Sequence, residues 1–212
     1  MEFGRFLEIL SHLDRQPLPG IDSHHKMIPK VRMIPSEEEI LRANPSRAAV
    51  LALFYPDSEK QTRFLLTLRA TYPGAHSSQI SFPGGKYDDS DLDLLSTALR
   101  ETREETGVQA EQIVIKRSLS ETYIPPSNFL VRPYLGYTKF MPDFMPNHEV
   151  KEIIEVKLSD LLSEGSVGNK NLSTSYMKNI DVPCFLFNDH VVWGATAMML
   201  SEIKDLIKLS FH

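Results

Sequence analysis

The stretch that decides the fold spans residues 82–108 and reads FPGGKYDDSDLDLLSTALRETREETGV. A Gly-Gly turn at its start precedes a predicted helix over roughly residues 92–106. Glu101, Glu104 and Glu105 are spaced i, i+3 and i+4, which predicts that their carboxylates share one helix face. Like charges placed so closely repel one another, so this face is typical of a site for a hard divalent cation such as Mg²⁺, which prefers oxygen ligands.

The segments around this stretch alternate between predicted strands and predicted helices. Two apolar strands precede it, and further strands, a hairpin and an amphipathic helix follow it. Their sequences are AAVLALFY (48–55), TRFLLTLR (62–69), IVIKRSLSE (113–121), LVRPYLGYT (130–138), CFLF (184–187), HVVW (190–193) and ATAMMLSEIKDLIKL (195–209). The order predicts an α/β fold, an α/β/α sandwich with a mixed sheet between helices.

The N-terminal region has a different character. Apolar residues recur at helical spacing between residues 2 and 14, which predicts an amphipathic helix. A Pro- and Gly-rich segment follows, in which we expect His24 and His25 to lie in a solvated loop. Ser36 and Glu39 form a capping-box pattern at the start of a short helix. We therefore expect residues 1–45 to form a helical extension packed on a domain over residues 46–212.

Composition limits the class of partner. The 212 residues carry a formal net charge of −5, which predicts no broad basic surface and no nucleic-acid partner. No apolar run approaches the ~18 residues that a membrane span needs, so we expect no membrane partner. Cys184 is the single cysteine and lies in an apolar run, which excludes an internal disulfide. These features and the absence of a secretion-signal pattern predict a cytoplasmic protein, a monomer or a homodimer.

The segment RETREETGV (residues 100–108) matches the second half of the pattern G-x5-E-x7-R-E-U-x-E-E-x-G-U, in which U is aliphatic. That pattern is the Nudix signature, and the chain resembles the Nudix hydrolase family. Thr102 replaces an aliphatic residue. Asp91 stands at the first glutamate, and eight residues instead of seven separate it from Arg100.

The extra residue resembles the coenzyme A pyrophosphatase branch of this family. That branch has an upstream element similar to LLTLRATYPGAHSSQISFPGG, residues 65–85. Gly74 and Ser78 depart from this element, which usually has arginine and glycine there. Residues 125–137, 147–156 and 193–197 resemble other segments of the branch.

The resemblance implies a metal-dependent hydrolase whose cofactor is Mg²⁺ or Mn²⁺. Its expected metal ligands are the Gly85 carbonyl, Glu101, Glu104 and Glu105. Arg100 is expected to pair with a glutamate and hold it in place, although adjacency in sequence predicts that it does not share the face of Glu101. The general base is open: Glu104, Glu105, Glu149 and Glu152 are candidates, with Glu149 preferred to Glu152.

A diphosphate substrate needs positive charge beside it. Arg69 and Lys86 are the expected substrate-binding cations, and Ser127 and Phe129 are expected to line the cleft. Trp193 is predicted to belong to the core and not to a stacking surface.

The leading functional hypothesis is cleavage of the small nucleotide substrate coenzyme A, or of acyl-coenzyme A, to 3′,5′-ADP and 4′-phosphopantetheine. The alternative substrates are ADP-ribose, another nucleoside diphosphate derivative or a nucleoside triphosphate. A third hypothesis is a binding or regulatory protein that has lost catalysis. The intact glutamates argue against it.

Overall fold

Helices and strands alternate along the chain in a computed structural model that describes residues 1–30, 34–70, 79–173 and 179–210. The helices are α1 (Phe3–Leu13), α2 (Ile21–His25), α3 (Glu37–Arg42), α4 (Leu94–Thr106), α5 (Leu158–Leu162) and α6 (Gly194–Leu209). The strands are β1 (Ser46–Pro56), β2 (Thr62–Arg69), β3 (Ile80–Ser81), β4 (Gly84–Lys86), β5 (Ile113–Ser118), β6 (Thr122–Ile124), β7 (Phe129–Thr138), β8 (Val150–Lys157), β9 (Val167–Leu172), β10 (Ile180–Phe187) and β11 (His190–Trp193).

A mixed sheet of eight strands forms the centre of the molecule. Its main path is β3-β2-β1-β7-β5, and β4, β6 and β8 pair with β1, β7 and β2 respectively. β1 and β7 are parallel, with Ser46 opposite Phe129 and Phe54 opposite Tyr137, and the other pairings are antiparallel. A separate antiparallel sheet has the order β11-β10-β9.

Both faces of β1 are buried, as expected for a strand at the centre of a layered domain. One face packs against α4, and the other packs against α1 and α6. The first set includes Ala49, Leu51, Leu53 and Ala98, and the second includes Phe6, Ala52, Phe54 and Leu200. The observed architecture is therefore the predicted α/β/α sandwich.

Helix α4 begins two residues later than the sequence predicts. Asp93 has extended backbone, and its carboxylate accepts a hydrogen bond of 2.7 Å from the backbone N–H of Ser96. A capping aspartate fixes the first turn after itself, so the apolar Leu92 stays outside the helix and is exposed. The C-terminal end is as predicted, because Gly107 adopts φ +81° and ends the helix.

The prediction of a solvated loop around His24 is wrong. Residues Ile21–His25 form α2, and His24 is only 2% exposed. Its Nε2 lies 3.2 Å from the Glu202 carboxylate on α6, which also accepts a hydrogen bond of 2.6 Å from the Ser120 hydroxyl. His24 is thus part of a buried polar cluster that joins α2, α6 and the loop after β5.

No helix in the described ranges is long and apolar enough to cross a bilayer.

Candidate active site

The glycine turn before α4 brings backbone and carboxylates into close contact. Gly84 adopts φ +153°, and a Cβ there would lie 2.3 Å from the backbone oxygen of Ala49. A Cβ on Gly85 would lie 2.5 Å from the Glu101 carboxyl carbon. Only glycine fits at position 84, where a Cβ meets backbone, whereas a Cβ at position 85 requires the Glu101 carboxylate to shift. Strand β4 lies between β1 and α4.

Glu105 is the most buried carboxylate of the cluster, with 2% of the residue exposed. One oxygen accepts a hydrogen bond of 3.2 Å from the Gly84 N–H, and the other lies 3.1 Å from Nη1 of Arg69. Burial raises the pKa of Glu105 to about 7, against the lowering effect of Arg69 and the Gly84 N–H. The structure therefore keeps this carboxyl close to its titration point at neutral pH.

Arg100 joins Asp91 to the glutamate face. Its Nε and Nη2 donate to the Asp91 carboxylate at 2.8 and 2.9 Å, and its Nη1 donates to Glu101 at 2.8 Å. Arg100 therefore pairs with a glutamate, as the resemblance implies, and this partner is its sequence neighbour Glu101 even though adjacent helix positions do not share a face. Hydrogen bonds from Arg100 hold the pKa of Asp91 well below its usual range, while burial raises the pKa of Glu101.

Asp91 occupies the position of the first glutamate of the signature and has a structural role here. Besides the Arg100 fork, it accepts hydrogen bonds of 2.8 Å from the Thr97 hydroxyl and 3.1 Å from the Asp88 N–H. Its side chain is only 4% exposed. The sequence pattern singled out positions 91 and 100 by their spacing, but it did not predict the contact between Asp91 and Arg100.

The candidate bases lie on different elements. Glu104 is half-exposed and lies 3.4 Å from Arg100, whereas Glu149, directly before β8, lies 3.4 Å from Nη2 of Arg69. Arg69 thus bridges Glu105 and Glu149. Glu152 is instead 3.4 Å from Nε2 of His190 on β11.

An apolar cavity of about 320 Å³ opens beside the glycine turn. The four expected substrate-binding residues, Arg69, Lys86, Ser127 and Phe129, all line it. Trp193 also lines it and is half-buried, so the prediction that Trp193 is a core residue is wrong. Gly74 and Ser78, which depart from the upstream element, lie outside the described residues.

The residue types suit a hard cation, since the Glu101 carboxylate lies against the backbone of Gly85 and oxygen ligands are those that Mg²⁺ prefers. Within residues 1–30, 34–70, 79–173 and 179–210, however, no group of three or more His, Cys, Asp or Glu side chains is placed to hold a metal ion. Instead, Arg69 forms an ion pair with Glu105, and Arg100 forms one with Glu101. A cation at this site has to share or replace these arginine contacts.

The family model described as the NUDIX domain matches residues 45–171, more than half of the chain. The chain belongs to the Nudix family. It is a Nudix hydrolase, an enzyme that acts on phosphoric anhydrides, and hydrolases of this family generally need a divalent cation.

Relatives with curated names agree with this assignment. The human "Mitochondrial coenzyme A diphosphatase NUDT8" is 34% identical over 179 residues, covering 83% of this chain and 75% of that protein. The "Uncharacterized Nudix hydrolase NudL" of Photorhabdus laumondii is 28% identical, covering 83% of this chain and 92% of that protein.

The structure of a MutT/nudix family protein from Enterococcus faecalis shares the fold of this Nudix hydrolase. The TM-score is 0.53 at 19% identity, with 95% of this chain and 74% of that chain covered. The similarity covers nearly the whole chain and confirms the fold.

Proposed function

We propose that this Nudix hydrolase cleaves the diphosphate of coenzyme A or acyl-coenzyme A, giving 3′,5′-ADP and 4′-phosphopantetheine or its acyl form. The observation that carries the proposal is the convergence of Glu101 and Glu105 on the Gly84–Gly85 turn at the mouth of an apolar cavity. Similarity to a human protein named as a coenzyme A diphosphatase supports this substrate over other anhydrides.

In this proposal the Gly85 carbonyl, Glu101, Glu104 and Glu105 would hold Mg²⁺ or Mn²⁺. Such a cation would neutralise diphosphate charge and lower the pKa of bound water. The chain supplies orientation: Asp91 fixes Arg100, Arg100 directs Glu101, and the Gly84 N–H anchors Glu105. These contacts hold the carboxylates in place before substrate arrives.

The reaction is attack by a water oxygen on one phosphorus atom. The bond from that phosphorus to the bridging oxygen breaks, and the bridging oxygen leaves with the other phosphate. We propose Glu149 as the base that takes the water proton, because it faces Glu105 across Arg69, whereas Glu152 is held by His190. Lys86 contributes positive charge at the cavity mouth.

A substrate panel tests the function. Purified protein with Mg²⁺ or Mn²⁺ is given coenzyme A, acetyl-coenzyme A, ADP-ribose and ATP, and products are identified by mass spectrometry. We expect cleavage of the first two to 3′,5′-ADP. Efficient cleavage of ADP-ribose or ATP with coenzyme A left intact would establish the alternative substrate class, and no turnover at all would favour the binding protein.

Substitutions test the assigned roles. Glu104→Gln, Glu105→Gln and Glu149→Gln are each expected to lower kcat by about a hundredfold or more. Glu152→Gln is the matched control for the base, and Glu111→Gln, on an exposed surface away from the site, is the control for charge removal. Equal losses in Glu149→Gln and Glu152→Gln would contradict the choice of base.

The cytoplasmic location stays a proposal, since the human relative is named as a mitochondrial protein. A fluorescent fusion imaged in the source cell tests it. We also propose a monomer or homodimer, and light scattering of the purified protein distinguishes the two.

A further inference from the structure

Two pockets meet at Lys86, directly after the glycine turn. The apolar cavity is lined by Gly84, Gly85 and Lys86. A second groove is lined by Lys86 together with Arg47, Arg100 and Glu101. A molecule whose diphosphate lies at the turn therefore has two separate places for the groups on either side of that diphosphate.

The apolar cavity carries little positive charge. Among its described lining residues the cations are Arg69 and Lys86. Arg69 is ion-paired with Glu105 and Glu149, and Lys86 is exposed at the mouth. The walls of the cavity also include Phe82, Phe129 and Met199. A phosphate placed among such side chains loses its hydration without gaining a partner, which is strongly unfavourable.

Two polar side chains that line this cavity already donate hydrogen bonds to backbone carbonyls of the protein. The Thr196 hydroxyl donates to the Ile80 carbonyl at 3.0 Å, and the Ser127 hydroxyl donates to the Ile124 carbonyl at 3.5 Å. An uncharged, largely aliphatic group suits these walls better than a phosphorylated nucleoside. The volume of about 320 Å³ lies near the lower end of the range for small-molecule pockets.

Two arginines lie close together beside the second groove, whose lining also includes the carboxylates of Asp88 and Asp89. Arg47 and Arg132 both bind the carboxylate of Glu121, so two guanidinium groups share one negative charge. Arg47 and Arg132 also line a common shallow groove with Tyr87. Guanidinium groups suit a phosphate because they present several donors in one plane.

We propose that the substrate lies across the glycine turn with its pantetheine arm in the apolar cavity and its 3′-phosphate toward Arg47 and Arg132. This inference rests on the proposed function, because it divides coenzyme A between the two pockets. The uncharged arm enters the cavity without a buried phosphate, and the additional phosphate meets the arginine pair.

The two reaction products, 4′-phosphopantetheine and 3′,5′-ADP, probe the apolar cavity and the arginine groove separately. Val191 lines the apolar cavity on β11, and Val191→Phe narrows it. We expect this variant to raise the dissociation constant of 4′-phosphopantetheine about tenfold, because overpacking a cavity is unfavourable, and to leave that of 3′,5′-ADP unchanged. Titration calorimetry measures both without requiring turnover. Val167→Phe, at an exposed position in the same small sheet, is the matched control.

Arg47→Gln tests the other half. It is expected to lower kcat/KM for coenzyme A about tenfold relative to 3′-dephospho-coenzyme A, and Arg47→Lys is expected to retain most of that preference. The affinity for 4′-phosphopantetheine should stay unchanged.

The opposite pattern, in which Val191→Phe weakens 3′,5′-ADP and spares 4′-phosphopantetheine, would overturn the assignment, as would no change for either product in a folded variant. If Val191→Phe does not fold, Val191→Leu is the smaller substitution for the same measurement. A wild-type enzyme that leaves coenzyme A intact refutes the proposed function itself, whereas the binding measurements with the two products judge the division into pockets.

Discussion

Among single residues, Glu105 is a carboxylate whose position is unfavourable for stability. Its folded pKa of about 7 lies above the ordinary value of 4.5 because it is buried. Below the ordinary value both states hold the proton, and as the pH rises toward 7 the unfolded state ionises first. The stability of the metal-free protein therefore falls over this interval, by at most about 3 kcal/mol.

Replacing Glu105 by Gln should remove this effect. We expect Glu105→Gln to be more stable than the wild type at pH 8 by about 2 kcal/mol and nearly equal to it at about pH 4, in metal-free urea unfolding. Glu104→Gln is the control, since Glu104 is half-exposed. If Glu105→Gln is instead destabilised at pH 8, the Arg69 contact outweighs the burial of the charge.

The sequence predicts the residue types of the site better than their contacts. The spacing of Glu101, Glu104 and Glu105 follows from helix geometry, and the glycines at 84 and 85 follow from the pattern. The paired hydrogen bonds from Arg100 to Asp91 and the ion pair of Arg69 with Glu149 depend instead on the conformations of long side chains. Helical periodicity does not specify the position of the guanidinium group at the end of a long, flexible arginine side chain.

At the level of elements, the glycine turn and α4 are matched to each other. Gly85→Ala places a methyl group against the Glu101 carboxylate, which is the far end of a flexible side chain. We expect the protein to fold with a loss below about 1 kcal/mol but to lose about a hundredfold in kcat, because a shift of the ligand by about 1 Å is enough. Thermal unfolding and steady-state kinetics measure the two effects.

Gly165→Ala is the control for Gly85→Ala, because a Cβ there lies 3.7 Å from its nearest neighbour, the Ser163 hydroxyl. A Gly85→Ala enzyme with wild-type kcat would show that Glu101 can move without consequence.

Long periodic elements were predictable, and so were two short ones with a local signal, α3 after its capping box and β11 in its hairpin, whereas other short elements were not. β1, β2, β7 and the ends of α4 agree with the sequence to within about two residues. The short strands β3, β4 and β6 have two or three residues each, too few for a periodic pattern, and they exist because neighbouring strands complete their hydrogen bonds. α2 was missed for the same reason: its stability comes from the contact of His24 with Glu202, which is distant in sequence.

For the whole molecule, the N-terminal helix shares the core of the Nudix domain. Phe6 is fully buried, and its ring lies 4.8 Å from that of Phe54 on β1. Phe6→Ala is therefore expected to lower the free energy of unfolding by about 3–5 kcal/mol, through lost burial and the cavity left behind. Denaturant unfolding followed by circular dichroism measures the loss.

A single transition is expected in Phe6→Ala as in the wild type, since α1 and the sheet contribute to one core. Leu41→Ala, at a position 76% exposed on α3, is the control and should change stability little. Two separate transitions would show that α1 unfolds independently, and residues 1–45 would then be an extension in the thermodynamic sense as well.

The parallel pairing of β1 with β7 also governs when this enzyme can first become active during its synthesis. Ser46 reaches its partner only after Phe129 has been made, and Phe54 only after Tyr137. The glycine turn and α4 lie between these strands and leave the ribosome earlier. At roughly 5–20 residues per second, the catalytic segment waits on the order of seconds before its supporting strand emerges. Nascent chains that end between Val108 and Phe129 therefore carry the complete signature but lack the central strand pair that supports it.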